Sequence, residues 1–381
     1  MAFDTNRMAT KLLRCRSNLE LELKEVSDLT GIPEHRLRTI ESGHTEPYGD
    51  EILILADIYQ EDFKFFISNE KLSASEKVEE LYRVNGKDFT KEDKRAIQTF
   101  ISLCSNEQFI WESLHITKDP FNLPPINQNY INKEDGTIVA NSLRQHLGYK
   151  DLEGYQNLYS EFRKLGIHIF RRKLKSSGLS GLFIRHPEAG LCILINCDDN
   201  IYRQNFTLAH EVGHALMDGA DFNVSFNNDI GTTFREYRAN TFASNFLIPQ
   251  NVIRKIPKSL LTPDYIYKLA DKFRVNIQPL LIALKSADII NQNEYYSLQK
   301  SSIKIAKKDQ RDYEFDNLTD RLTESYATSM ERGLTPSYIK MCHEAFAEKI
   351  ISREKLAEML LTDLYDLPML LDLFKLKTEL W

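Results

Sequence analysis

Apolar residues recur at helical spacing along residues 1–70, in four segments separated mainly by glycine and proline. These segments are MATKLLRCR, ELKEVSDLTGI, PEHRLRTIESG and DEILILADIY. Two further segments with helical spacing follow, SASEKVEELYRV and KEDKRAIQTFISLC. The next run, DPFNLPPINQNYINKEDG, is rich in proline and asparagine, which is typical of a linker. We therefore expect a helical domain over residues 1–70 and a helical connector with a linker over residues 71–136.

The pattern changes after this linker. TIVANSLRQHLGY and YQNLYSEFRKLG keep helical spacing, whereas GIHIFRRK, GLFIRH and GLCILINC are short β-branched or aromatic runs bounded by glycine. They predict a small sheet in a central α+β domain over residues 137–300. Helical spacing returns from about Asn251, and a polar junction, KKDQRDYEFDN, precedes a C-terminal helical region over residues 301–381. The fold class predicted is multidomain, mainly α with a small β-sheet.

Composition and charge narrow the class of protein. The chain has 381 residues, 42% hydrophobic and 27% charged, as in soluble globular proteins of two or three domains. It starts without an apolar leader, so we expect a cytoplasmic protein with no membrane partner. Its five cysteines form no CxxC pair, which argues against a disulfide framework. Residues 1–70 hold eight Lys/Arg and fourteen Asp/Glu, and so account for the whole net charge of −6.

The stretch TLAHEVGHALMDG contains two histidines spaced by one helical turn. On a helix, His210 and His214 share a face, so their imidazole nitrogens can bind one metal ion. Glu211 follows the first histidine and is placed to accept a proton from an activated water, as in zinc-dependent hydrolases. The alternative is an ordinary amphipathic helix with two partly buried histidines.

A hydrolytic zinc site also requires a third protein ligand. The metzincin arrangement would need glycine at Met217 and histidine at Ala220, so it is excluded. The remaining candidates are Asp218, Asp221, Asp229 and Glu236. Glu236 begins a helical segment, REYRANTFASNFLIP, on which Asn240 lies one turn later and can orient a ligand histidine. Spacing alone does not separate a ligand role for Glu236 from a first-turn glutamate stabilised by the helix dipole.

Two motifs in this region resemble those of the ImmA/IrrE family of metallopeptidases. They are NFTLAHEVGHALMDG and EYRANTFASNFLIP, and the similarity extends over roughly residues 137–290. The resemblance implies a zincin-like domain in which His210, His214 and Glu236 bind Zn²⁺ and Glu211 is the general base. The family often has a histidine where this sequence has Asp218 or Gly219.

Hydrolysis of an amide also needs a group that stabilises the oxyanion of the transition state. Several residues near the two motifs have the right chemistry, and the sequence does not choose among them. These residues are Tyr202, Arg203, Arg235, Tyr237 and Arg238.

Residues 24–43, KEVSDLTGIPEHRLRTIESG, resemble the Cro/repressor-like helix-turn-helix family. A shared core between two helices joined by a glycine turn is predicted from the spacing of Val26, Leu29, Ile32, Leu37 and Ile40. In a DNA reader of this shape, the exposed face of the second helix enters the major groove. That face would carry His35, Arg36, Arg38 and Thr39.

The charge of this N-terminal segment leaves its partner open. Phosphate contacts call for a basic surface, and the segment is acidic overall. Leu23 also stands where the family usually has glutamine. Binding to operator DNA requires the basic residues to cluster on one face, as Arg14 and Arg16 can do with Arg36 and Arg38. The alternative is a module for homodimerisation or for docking a partner.

Three hypotheses of function follow. The first is a zinc endopeptidase coupled to a DNA-binding module; the resemblance implies that it cleaves a regulator such as a helix-turn-helix repressor in a stress or mobile-element response. The second is a transcription regulator or antitoxin-like protein that uses the peptidase fold for sensing or docking. The third is a protease effector of a defence or toxin system. HEVGH and Glu236 favour an enzyme, because a binding domain does not need Glu211.

Overall fold

The computed structural model describes most of the chain in two compact units. The described residues are 4–59, 61, 63–67, 89–125, 133–149, 157–175, 178–219, 222–226, 234–300 and 320–377. The described residues do not include the predicted helix SASEKVEELYRV or the polar junction KKDQRDYEFDN. Unit 1 comprises Met1–Asn106, Leu174–Ser177 and His186–Ala189. Unit 2 comprises Glu107–Lys173, Gly178–Arg185 and Gly190–Trp381.

The described elements of unit 1 within Met1–Asn106 are helices. Its helices are α1 (Thr5–Asn18), α2 (Leu23–Thr30), α3 (Glu34–Glu41), α4 (Gly49–Tyr59), α5 (Phe63–Ile67) and the first part of α6 (Lys91–Ser113). The backbone N–H of Glu22 donates to Glu25 at 2.7 Å, which caps the start of α2. α2 ends at Gly31, whose φ of 73° is the left-handed conformation that glycine adopts without strain. The core includes Leu12, Val26, Ile32, Leu37, Ile40 and Leu55.

The prediction that Leu29 joins this core is wrong. Its side chain is 59% exposed, whereas Val26 and Ile32 on either side of it are buried. The chain leaves the helix at the left-handed Gly31, and Ile32 beyond this turn packs into the core. Leu29 therefore lies on the solvent side of the last turn, although its spacing from Val26 fits the buried face of a longer helix.

Unit 2 combines twelve described helices with one sheet, so the prediction of a mainly α fold with a small β-sheet is confirmed. The helices are α7 (Lys133–His146), α8 (Leu158–Lys164), α9 (Ile201–Met217), α10 (Phe234–Leu247), α11 (Gln250–Ile253), α12 (Pro263–Lys272), α13 (Ile277–Ser286), α14 (Gln292–Lys300), α15 (Asp320–Glu331), α16 (Pro336–Ala347), α17 (Arg353–Met359) and α18 (Leu367–Leu373). Among the helices of the described residues, none is both long and apolar enough to cross a membrane.

The sheet has four strands in the order β1-β3-β2-β4. The strands are β1 (His168–Arg172), β2 (Leu179–His186), β3 (Gly190–Asn196) and β4 (Phe222–Phe226). β1 pairs with β3 in parallel, and β4 pairs with β2 antiparallel. β4 is not among the three strand runs predicted from the sequence. The run FNVSF alternates apolar and polar residues, and the free side of β2 supplies its hydrogen-bond partners.

Helix α7 begins at Lys133, inside the segment predicted to be linker, so that boundary is wrong. The error comes from Gly136, which a sequence reading takes as a break between elements. In the structure Gly136 is a helix residue at a close approach to α10. A Cβ atom there would lie 2.4 Å from the carbonyl oxygen of Arg238 and 2.8 Å from the backbone nitrogen of Phe242. Glycine is required by packing at this position.

We expect Gly136→Ala to lower the free energy of unfolding of the protein by about 1–3 kcal/mol, the usual effect of overpacking. Helix propensity alone would make alanine more stable than glycine here by about 1 kcal/mol. A loss of stability in the variant would therefore come from the close approach of α10. The measurement is chemical denaturation. Gln145→Ala, at an exposed position of the same helix, is the matched control and should change stability by less than about 0.5 kcal/mol. A stabilised Gly136→Ala protein would contradict the contact.

Candidate metal centre

Helix α9 carries the HEVGH residues and is held on both sides by close backbone contacts. It is preceded by the N-cap residue Asn200, whose side chain accepts from the backbone N–H of Arg203 at 3.1 Å. A Cβ atom at Gly181 of β2 would lie 2.7 Å from the methyl group of Thr207, so α9 rests directly on the sheet. A Cβ atom at Gly213 would lie 3.0 Å from the ring of Phe242 on α10. These contacts fix α9 between the sheet and α10.

The structure brings three of the predicted ligands together. The Nε2 atoms of His210 and His214 are 3.0 Å apart. The carboxylate of Glu236, from the facing helix α10, places Oε2 at 3.3 Å from Nε2 of His210 and Oε1 at 3.2 Å from Nε2 of His214. Both histidines are buried and Glu236 is half-buried. In a tetrahedral zinc site, ligand bonds of about 2.0–2.1 Å separate the donor atoms by roughly 3.3 Å.

The outer nitrogens of the two histidines set their tautomers. Nδ1 of His210 lies 3.0 Å from the amide oxygen of Asn240, and Nδ1 of His214 lies 2.7 Å from a carboxylate oxygen of Asp218. Both partners accept hydrogen bonds, so each Nδ1 carries a proton and each Nε2 is the nitrogen whose lone pair a metal ion can bind. Two lone pairs and the carboxylate of Glu236 therefore face one another. Such a set of acceptors fits a bound cation, and its two nitrogens and one oxygen suit zinc.

Electrostatics in this cluster favour positive charge. Burial acts to lower the pKa of His214, but hydrogen bonds with Asp218 and Glu236 and the charge of Glu211 outweigh it and raise this pKa to about 9. Burial acts to raise the pKa of Glu236, but hydrogen bonds with His210 and His214 hold it well below its usual range. The carboxylate of Glu236 is consequently ionised at neutral pH, which is the form that binds a metal ion.

Glu211, the predicted general base, is fully buried on α9 between the two histidines in sequence. Its negative charge contributes to the raised pKa of His214, which places it in the same electrostatic environment as the three donor groups. A cation held by these donors would oppose the effect of burial on the carboxylate of Glu211.

The residues predicted as possible oxyanion partners occupy different environments. The guanidinium of Arg238 donates to Asp218 and to the carbonyl of Met217, on the Nδ1 side of His214. The hydroxyl of Tyr202 donates to Asp271. These two side chains are buried and engaged in the protein. Arg203 contacts Ser180 and Asp199. Arg235 and Tyr237 are exposed. Asp221 and Asp229, considered as third ligands, lie outside the described residues.

Donor groups from two facing helices converge here, with a buried glutamate directly after the first histidine, and this arrangement is similar to that of zinc-dependent hydrolases. Residues 162–285 match a peptidase family model described as the IrrE N-terminal-like domain. This match supports the resemblance to the ImmA/IrrE family and indicates a metallopeptidase-type function for the matched segment, which contains all four site residues. A search of curated proteins finds no match.

The four residues predicted to contact DNA fall into two groups in unit 1. His35 and Arg38 are exposed on α3. Arg36 instead donates to both carboxylate oxygens of Glu51, at 3.0 and 2.8 Å, and to the carbonyl of Glu46 at 2.9 Å. Its charge is therefore largely offset within the unit.

Thr39 and Arg16 are also engaged in unit 1. The hydroxyl of Thr39 donates to the carbonyl of Arg36 at 2.8 Å and accepts from the hydroxyl of Thr45 at 2.9 Å. Arg16 donates to both oxygens of Glu41, at 2.7 and 3.0 Å. Arg14 is exposed. The arginines considered for a common basic face therefore differ in exposure, since Arg14 and Arg38 are exposed, whereas Arg16 and Arg36 are partly buried in ion pairs with Glu41 and Glu51.

Proposed function

We propose that unit 2 is a zinc-dependent endopeptidase with His210, His214 and Glu236 as the metal ligands and Glu211 as the general base. The observation that carries this proposal is the convergence of the two Nε2 lone pairs and the Glu236 carboxylate at 3.0–3.3 Å, with Glu211 buried beside them. A site used only for sensing or docking does not need a buried general base, so the enzyme is favoured over a regulator that merely retains the fold.

His210, His214 and Glu236 would hold the zinc ion, which when bound would act as a Lewis acid toward the scissile carbonyl and lower the pKa of water. Glu211 accepts the proton of the attacking water and passes it to the nitrogen of the leaving amine. Asn240 and Asp218 keep both histidines in the tautomer that leaves Nε2 unprotonated. Glu236 completes the ligand set and contributes the negative charge that retains the cation.

The test of this function is cleavage of an internally quenched peptide library by zinc-loaded protein. We expect cleavage that stops on chelation and returns with zinc, at peptide bonds identified by mass spectrometry of the products. A general protein substrate such as casein tests the endopeptidase assignment against cleavage confined to chain ends. Zinc-loaded protein that cleaves neither the library nor the protein would favour the alternative, a transcription regulator or antitoxin-like protein that uses the fold for sensing or docking.

For unit 1 we propose a regulatory helix-turn-helix module over residues 1–70 that binds operator DNA and couples it to the peptidase. In this scheme the substrate is another transcription regulator, such as a helix-turn-helix repressor, cleaved in a stress, mobile-element or defence response. Exposed His35 and Arg38 on α3 support the DNA role. The ion pairs of Arg36 and Arg16 support the alternative, docking of a protein partner or a second copy of the chain.

The two roles of unit 1 make different predictions for duplex DNA. If α3 contacts phosphates, Arg38→Ala weakens binding and reduces the salt dependence of log K by about one unit. Arg36→Ala should change that slope less, because the guanidinium of Arg36 is already paired with Glu51. Fluorescence anisotropy over a range of salt concentrations measures both. Absence of binding by the wild type at low salt would sink the DNA assignment and leave the docking role.

A further inference from the structure

Asp218 lies on the side of His214 that faces away from the three converging donors. It is the first residue beyond α9, one turn after His214, and its backbone N–H donates to the carbonyl of His214 at 2.9 Å. Its side chain turns back so that Oδ2 lies 2.7 Å from Nδ1 of the same histidine. Main chain and side chain thus both hold Asp218 against His214.

The second carboxylate oxygen of Asp218 is bound by Arg238 of α10. The guanidinium donates through Nη2 to this oxygen and, at 2.9 Å, to the carbonyl of Met217. His214, Asp218 and Arg238 are 1%, 7% and 3% exposed, so the chain of hydrogen bonds is sealed from solvent. A buried charge is retained in a protein when it is paired and hydrogen-bonded, and here Arg238 meets both requirements for Asp218.

The two histidines therefore differ in the group that accepts the hydrogen bond from Nδ1. His210 donates to a neutral amide, Asn240, at 3.0 Å, whereas His214 donates to a carboxylate at 2.7 Å. A carboxylate that accepts from Nδ1 increases the electron density at Nε2 and makes the imidazole a stronger ligand. A neutral amide fixes the tautomer and orientation but polarises the ring far less.

We propose that Asp218 is a positioning residue that makes His214 the stronger of the two histidine ligands, and that Arg238 holds Asp218 in place and offsets its charge by donating to its second carboxylate oxygen. This inference rests on the zinc site proposed above. Arg238 comes two residues after Glu236 on the same helix, so one element supplies a metal ligand and the counter-ion of the carboxylate behind another ligand.

The need for Arg238 follows from the other charges around the site. Glu211 and Glu236 already place two carboxylates at the cluster, and Asp218 adds a third. Asp135 of α7 also lies near Arg238, with its Oδ2 atom at 4.0 Å from Nη1 of the guanidinium. Asp218 and Asp135 are both buried carboxylates at the same arginine, and Asp218 also lies 2.7 Å from Nδ1 of His214. Asp135 is thus a matched control.

The test is the zinc dissociation constant of the full chain, measured by competition with a chelator of known affinity. We expect Asp218→Asn to raise it about 10–100-fold, the usual effect of losing such a partner, and Asp135→Asn to change it less than about threefold. The Co²⁺-loaded protein gives a second readout, because its visible absorption bands should shift in Asp218→Asn and stay in place in Asp135→Asn. A role confined to folding would not move the Co²⁺ bands.

Asp218→Asn leaves Arg238 with an altered partner and can lower the yield of folded protein. The double variant Asp218→Asn with Arg238→Gln removes both charges together, and its zinc dissociation constant should stay raised at least about tenfold. A return to the wild-type value in the double variant, or equal effects of Asp218→Asn and Asp135→Asn, would overturn the inference. Zinc binding by the wild type would then still support the proposed function, whereas wild-type protein without zinc overturns both.

Discussion

The Glu211→Gln protein should bind zinc as the wild type does and hydrolyse peptides about 10³-fold more slowly, within the 10²–10⁴-fold range of a lost general base. Glutamine has nearly the shape of glutamate, so the packing around this fully buried position is kept. What the change removes is the ability to accept a proton at that position. The rate of cleavage and the zinc content of the same preparation are the two quantities to compare.

The matched control for this variant is Glu188→Gln, which makes the same chemical change at an exposed turn residue. Its cleavage rate should equal that of the wild type. If Glu211→Gln cleaves at the wild-type rate with its zinc in place, another group is the base. If it loses zinc as well, Glu211 contributes to the charge that retains the metal, and its catalytic role has to be measured with saturating zinc.

Zinc should raise the thermal unfolding midpoint of the wild type by about 10 °C and leave that of His214→Ala unchanged. A ligand that binds only the folded state at 1,000 times its dissociation constant stabilises by about 4 kcal/mol, which is about 8–16 °C for a domain of this size. His214 supplies one of three donors, so its loss removes most of the affinity. The comparison is made within each protein, with and without zinc.

A matched control for this measurement is His146→Ala, which removes an exposed histidine of unit 2 that is remote in sequence from both motifs. Its zinc-induced shift should equal that of the wild type. A shift of the same size in His214→Ala would place the stabilising zinc ion at another site. No shift in any of the proteins would mean that folded and unfolded chains bind zinc equally or not at all.

The site could be predicted from the sequence where local geometry alone decides it. Helical periodicity places His210 beside His214 and Asn240 one turn after Glu236, and the structure has both arrangements. The contact between His214 and Asp218 has the same spacing of one turn, so the sequence held the signal for it. From the sequence Asp218 is a candidate third ligand, because spacing alone does not distinguish a metal ligand from a residue that hydrogen-bonds a ligand histidine.

The Asp218–Arg238 ion pair could not be predicted in this way. It joins the end of α9 to the inside of α10, and only the packing of these helices brings the two side chains together. From the sequence, Arg238 is instead a candidate oxyanion partner, because it lies near the motif. The burial of Arg238 and its pairing with Asp218 depend on how the helices pack, so the spacing of residues in the sequence does not predict them.

The errors in the fold have the same origin. Gly136 looks like a helix boundary in sequence, and the contact that requires a glycine there comes from the backbone of α10, about a hundred residues later. Strand β4 is short, and its pairing with β2 decides its conformation more than its own residues do. The spacing of Leu29 fits the buried face of a helix, but the helix ends at the left-handed turn of Gly31 and the side chain of Leu29 stays exposed.

The most direct test of the central claim is the zinc content per chain of the purified protein, determined by elemental analysis for the wild type and for Glu236→Ala. The account predicts about one zinc per chain in the wild type, as for a three-ligand hydrolytic site, and a small fraction of that in the variant. Wild-type protein that holds no zinc after reconstitution, or a variant that retains the full equivalent, would contradict it.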